Sequence, residues 1–323
     1  MDLNQSGIAS TPIDTLYHYD MLPSITYDVN GDILTVIPAN MGGYYVNNVT
    51  LTTHQIQNYV TPYGIGLNLN GAAGFRYVYD VTDYEPILHD TIEFLAGNQQ
   101  ELIDVKFIYI KGTPPRDVLS FETVALGDYQ HADIANDVVL KAVEKDMLAS
   151  ASQYVVRTRT SGHWFGGVEN CAEFCPKNHN IKINGTQSHE WLNWKKCAKN
   201  PIKSQGGTWV YDRAGWCPGT FTDTYDHDIT SFVTPGALNT IDYGMETTAA
   251  GMEGNYRTTV QLFQYGAPNF QTDARIEDVI SPNDWEWHQN HNPMCDNPKV
   301  LIKNTGADEI QSVRIGYWVC GGD

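Results

Sequence analysis

No lysine or arginine occurs before Arg76, and the whole chain carries 20 basic against 38 acidic residues, a formal net charge of −18. Nucleic acids and anionic membrane surfaces need a basic face, so this balance argues against both as partners. No apolar run approaches the roughly 20 residues of a membrane span. The opening Met1-Asp2-Leu3-Asn4 has neither a basic nor an apolar stretch, so no signal sequence is present and the start reads as trimmed. There is no Gly-x-Ser-x-Gly elbow and no Gly-x4-Gly-Lys loop, which removes serine-hydrolase and phosphate-cradle chemistry. Helical periodicity is scarce too.

What is present is a β pattern long enough for two cores at 323 residues. Ile33–Ile37, Val105–Ile110, Tyr154–Thr160, Thr258–Tyr265 and Val313–Trp318 are rich in β-branched and aromatic residues and are bounded by Gly, Pro, Asn and Asp. Ala135–Ala149 is the best helix candidate, although Val138-Val139-Leu140 suits a strand equally well. Composition breaks divide the chain into an N-terminal segment (1–43), a first β lobe (44–150), a second β lobe (151–270) and a C-terminal β extension (271–323). Two β-sandwiches are the natural architecture for such a pattern.

Six cysteines are present: Cys171, Cys175, Cys197, Cys217, Cys295 and Cys320. An even number suits disulfides in an oxidising compartment, hence a secreted or cell-surface protein, and spacing alone does not choose the pairing. Zinc is the competing reading. It is disfavoured because the cysteines beyond Cys171 and Cys175 are single and far apart, with no close histidine pair. Asp223, Asp226 and Asp228 crowd one segment and are weak calcium candidates. His288 and His291, placed on a strand, would face opposite ways and not share a metal.

Glu173 lies between Cys171 and Cys175, where a bridge would hold its carboxylate rigidly. It reads either as a positioned acid or as an exposed turn residue. Arg213 follows Asp212 and offers a rigid donor fork, for a ligand or for a local pair with that aspartate. Trp164, Trp209 and Trp216 can stack on sugar faces or pack in a core.

The stretches Arg157-Thr158-Arg159-Thr160-Ser161-Gly162-His163, Asn170-Cys171-Ala172-Glu173-Phe174-Cys175, Cys197-Ala198-Lys199-Asn200-Pro201-Ile202 and Asp212-Arg213-Ala214-Gly215-Trp216-Cys217-Pro218-Gly219 resemble the peptide-N-glycosidase F family and related secreted proteins of Bacteroidota. Val60-Thr61-Pro62-Tyr63, Asp80-Val81-Thr82-Asp83-Tyr84 and Val105–Pro114 extend the resemblance over roughly residues 44–265. It implies an all-β fold of two side-by-side eight-stranded antiparallel jelly-roll sandwiches, followed here by a short C-terminal β unit. It implies pairings Cys171–Cys175 and Cys197–Cys217, which leaves Cys295–Cys320. It implies hydrolysis of the amide between asparagine and the first N-acetylglucosamine of an N-glycan, without a metal or other cofactor. Glu173 would be the catalytic carboxylate of the second lobe; Arg213, Trp216, Trp209, Trp164 and His163 would be substrate-binding.

Amide hydrolysis needs an activated water, a polarised carbonyl and a proton for the leaving nitrogen. The family's first-lobe aspartate and arginine have no counterpart in Asn40-Met41-Gly42-Gly43-Tyr44-Tyr45-Val46. Asp28 and Asp32 lie upstream as acidic substitutes, and Glu93 is the catalytic candidate near the place of a second family glutamate, in a strand before Val105. The expectation is therefore a glycan- or glycoprotein-interacting module, joined to other domains of a parent protein, whose catalytic site has degenerated. The alternatives are a working amidase with a relocated carboxylate, and a purely structural module.

Overall fold

In the computed structural model, the described residues are 2–5, 12–21, 24–38, 40–47, 52–64, 67, 69, 71–89, 92–96, 102–167, 172–247, 252–291 and 297–318. The expected all-β class holds: strands dominate, and every strand pairing in the described residues is antiparallel.

The second lobe packs two four-stranded sheets face to face, and its strands begin at Arg116, so the sandwich crosses the boundary expected at 150/151. One runs Thr224–Asp228, Gln153–His163, Asn255–Pro268, Arg116–Gln130. The other runs Thr186–Leu192, Asn178–Ile183, Leu238–Met245, Val143–Asp146. Val156, Val260 and Leu262 from the first meet Ile181, Ile183, Ile241 and Tyr243 from the second in one core. Strand Asn178–Ile183 alternates buried and half-buried positions, as a strand with one face in a core must.

Strand Gln153–His163 breaks that alternation, because both its faces are covered. Its second face receives the first lobe, whose Ile56, Tyr84 and Ile87 pack on Val155, Phe263 and Tyr265. Arg157 and Arg159 share the register of Val155, so they point into this junction. Arg157 reaches Asp83 Oδ2 at 2.7 Å, and Arg159 donates to the Tyr84 hydroxyl at 2.7 Å and to the Gln55 carbonyl at 3.2 Å. Charged groups withdrawn from water need such partners.

The first lobe contributes a three-stranded sheet, in the order Thr52–Gln55, Asp2–Gln5, Ile92–Leu95, and two hairpins, Pro12–Met21 with Asn40–Asn47 and Ser24–Tyr27 with Ile33–Ile37. A C-terminal ribbon pairs Ala274–Ser281 with Lys299–Asn304. No helix among the described residues is long and apolar enough to cross a membrane.

Several local expectations are corrected. Val105–Ile110 and Val313–Trp318 form no strand, and Ile108, Ile110, Val313 and Trp318 are exposed. β propensity needs a neighbouring ladder to act on, and none meets these runs among the described residues. The helix expected over Ala135–Ala149 does not form; one short helix, His131–Ala135, precedes it and shares only Ala135 with it. Asp137 and Leu140 then enter the left-handed region at φ 55° and 56°, which ends a helix, and Val143–Asp146 continues as an edge strand. His288 and His291 lie in a short 3-10 helix, Glu286–His291, rather than on a strand, with ring centroids 6.1 Å apart.

Candidate functional site

Glu173 and Arg213 meet beside the lobe junction, each brought there by a loop anchored to strand Gln153–His163. The Glu173 amide donates to the Trp164 carbonyl at 3.0 Å, and its own carbonyl accepts from the Ala214 amide at 2.9 Å. Gly162 permits this approach: a Cβ there would stand 2.5 Å from the Ala172 carbonyl oxygen. Gly215 turns the second loop at φ +79°, a conformation that costs a glycine little. The Cys197–Cys217 disulfide closes the loop that carries Arg213.

Arg213 is completely buried, and its five N–H donors are all engaged inside the protein. Nε donates to Glu173 Oε1 at 2.8 Å. Nη1 reaches the Tyr211 carbonyl at 2.7 Å and the Trp209 carbonyl at 3.5 Å. Nη2 reaches Thr208 twice, at its carbonyl (2.9 Å) and its hydroxyl (2.8 Å). The guanidinium also lies over the rings of Phe174, Trp216 and Tyr63 at 4.9, 5.0 and 5.6 Å. Asp212 is not its partner. That carboxylate accepts instead from the Cys197 amide and Lys196.

The other half of the ion pair is different. The Glu173 side chain retains 11% of its exposure, and among the described residues only its Oε1 is bonded. Its loop neighbours are open to solvent: Trp164 is 53% exposed, at φ 106°, and Phe165 is 70% exposed. The site thus offers one fixed carboxylate flanked by aromatic surface. A carboxylate so placed has an oxygen with which a hydroxyl or amide N–H could bond.

The first lobe reaches this place through backbone and ring rather than through acid. Residues 58–60 run against 219–222, with bonds from the Val60 amide to the Thr220 carbonyl (3.1 Å) and from the Gly219 amide to the Val60 carbonyl (2.7 Å). The Tyr63 amide donates to Gln205 Oε1 at 2.7 Å, and Gln205 Nε2 donates to the Ile202 and Pro218 carbonyls. Burial, and next the Glu173 charge, push the Tyr63 hydroxyl above its ordinary range. Sequence reasoning assigned no role to Tyr63, Gln205 or Thr208. Tyr63 at least stands in a stretch that carries the family resemblance, whereas Thr208 and Gln205 are isolated polar residues with no signal of their own.

The remaining candidates are dispersed. Trp216 is 3% exposed, and its indole N–H is held by the Gly162 carbonyl at 2.7 Å, so it packs. His163 bonds Ser161 at 2.8 Å and lies on Trp216, and burial lowers its pKa. Trp209 is half-buried. Asp28 accepts from the amides of Asn30 and Asp32 within its own hairpin turn, bonds that hold it below the ordinary carboxylate range. Glu93 is exposed, on the opposite face of its strand from Ile92 and Phe94, which pack toward the junction. First-lobe carboxylates that cross to other units go elsewhere: Asp83 to Arg157 and Asp80 to Arg275. The segment Asn40–Asn47, where the family resemblance places a catalytic turn, is here a strand paired with Pro12–Met21.

Asp223, Asp226 and Asp228 have separate partners, in Lys195, Arg157 and Gln153, and no group of three His, Cys, Asp or Glu among the described residues is placed to hold a metal. Cys175 is disulfide-bonded. Cys171, Cys295 and Cys320 lie outside the described residues.

Comparison with known proteins agrees with this architecture. Residues 130–265 match the family described as peptide-N-glycosidase F, C terminal. The peptide-N(4)-(N-acetyl-beta-D-glucosaminyl)asparagine amidase F of Elizabethkingia miricola is 27% identical over 254 residues, 72% of this chain and 70% of its own. The solved structure of PNGase F, a glycosylasparaginase from Flavobacterium meningosepticum, superposes with a TM-score of 0.51 at 18% identity, covering 82% of this chain and 84% of that one. A recombinant peptide: N-glycanase F gives the same TM-score and identity over 82% and 83%. The chain is peptide-N-glycosidase F-like in sequence and shares that protein's two-lobed jelly-roll fold.

Proposed function

We propose that this chain is a glycoprotein-interacting module of the peptide-N-glycosidase F type, secreted or displayed at a surface, in which Glu173 recognises its ligand but no longer takes part in hydrolysis. The observation that carries the reading is the saturation of Arg213. With five donors spent on Glu173, Thr208, Trp209 and Tyr211, it has none left to polarise a substrate carbonyl. A second observation points the same way: among the described residues, no bond links a first-lobe carboxylate to the Glu173 loop. Amide hydrolysis also needs a polarised carbonyl, and neither the spent Arg213 nor a first-lobe carboxylate supplies that beside Glu173.

The runner-up is an active amidase hydrolysing the Asn–GlcNAc amide with a relocated acid. It is favoured by the 27% identity to a relative named as an amidase. The test incubates the protein with a denatured N-glycoprotein and measures both glycan release and binding, beside Glu173→Gln. The expected result is binding without release, with binding lost in the variant. Release of glycan by the unaltered protein overturns the proposal in favour of the amidase. Absence of both release and binding overturns it in favour of a structural module.

A further inference from the structure

The second-lobe sandwich is not filled at one edge. Between strand Arg116–Gln130 and the turn that precedes strand Val143–Asp146 lies a cavity of about 520 Å3. The space is a half-open groove, unlike the sealed, water-sized voids of an ordinary core. This volume falls instead within the range of about 300–1,000 Å3 typical of small-molecule pockets. Its lining includes Val124, Leu126, Val139, Ile241, Tyr243 and Val260. Tyr243 adds ring surface, since its hydroxyl is occupied by Thr160 at 2.8 Å and His179 at 2.5 Å.

The turn that roofs this space has a fixed shape of its own. The Val138 amide is held by the Asp133 carbonyl at 2.8 Å, and the Asp137 amide by the Ile134 carbonyl at 3.1 Å. Lys141 is the one cation in the lining. It is exposed and, among the described residues, has no ion-pair partner. A half-open apolar groove with one unpaired positive charge at its rim matches a molecule that is apolar along its length and anionic at one end. No lining residue belongs to the Glu173 site.

We propose that this cavity binds a single-chain anionic amphiphile of the fatty-acid class, with the acyl chain between Leu126 and Val139 and the carboxylate at Lys141. Desolvated apolar contact supplies the affinity and Lys141 the head-group preference. The test titrates the full chain with dansyl-aminoundecanoate below its micellar range and then displaces the probe with dodecanoate or dodecanol. Saturable binding at one site is expected, with dodecanoate displacing about tenfold better than dodecanol, a difference of roughly 1.4 kcal/mol. Lys141→Glu should abolish that preference. Val139→Trp should abolish binding of the probe, and Leu126→Trp on the other wall replaces it if the first variant does not fold. Both should leave glycoprotein binding unchanged, so this site and the Glu173 site fail or stand separately. Non-saturable uptake, equal displacement by the alcohol, or binding that survives both tryptophan substitutions overturns the proposal.

Discussion

Arg213 and Glu173, forty positions apart, form one buried ion pair in which Nε donates to Oε1 at 2.8 Å, and only the carboxylate side of that pair touches solvent. The arginine is therefore a positioning residue. It fixes the acid, and its own donors are taken up inside the protein.

Replacing Arg213 by methionine removes the charge that offsets Glu173 and orphans the carbonyls of Thr208 and Tyr211. Breaking a buried pair from one side typically costs about 3–5 kcal/mol. The denaturant midpoint should fall accordingly, and Arg213→Lys should recover only part of the loss, because a point charge cannot satisfy the fork. Unfolding curves for the two variants check this.

Glu173→Gln keeps the shape but gives up a charge-assisted bond. Were Glu173 an exposed turn residue, the cost would be within about 1 kcal/mol. Its place against a fully buried guanidinium raises the expectation to about 1.5–3 kcal/mol. Urea titration of this variant distinguishes the two figures.

Reduction of Cys197–Cys217, which spans 20 positions, should lower stability by roughly 3 kcal/mol through restored freedom of the unfolded chain. It should also loosen the Arg213 loop. A melting curve indifferent to reductant would contradict this.

His179 is fully buried and held down to about 3 by desolvation and then by His131; His227 is held to about 4 by desolvation and then by His189. Both lie below the ordinary histidine value, so the folded state binds fewer protons than the unfolded one. Their contribution is complete above about pH 6.5 and is lost as pH falls toward the folded values, by up to roughly 1.4 kcal/mol per pH unit for each histidine. Denaturant midpoints at pH 7 and pH 5 should show the drop, and His179→Gln should reduce it, leaving the part carried by His227.

Tyr84→Phe tests the junction. The hydroxyl accepts from Arg159 and donates to Gln261 at 2.8 Å, and its loss leaves two buried polar groups short of a partner. A cost of about 1–3 kcal/mol is expected in an unfolding titration.

The sequence by itself determined the β class and the family resemblance, because alternation, turn residues and fixed motifs are local and linear. It also made plain that residues 40–46 lack an acid and an arginine, since composition needs no geometry. It did not reveal that Arg157 and Arg159 hold two lobes together, or that Val105–Ile110 and Val313–Trp318 would lie without a ladder, because a strand exists only when a distant segment completes its hydrogen bonds. Nor could it choose between the partners of Arg213. Asp212 is adjacent and Glu173 distant, yet burial left the guanidinium facing the distant one, and only the tertiary fold decides which charges are removed from water together.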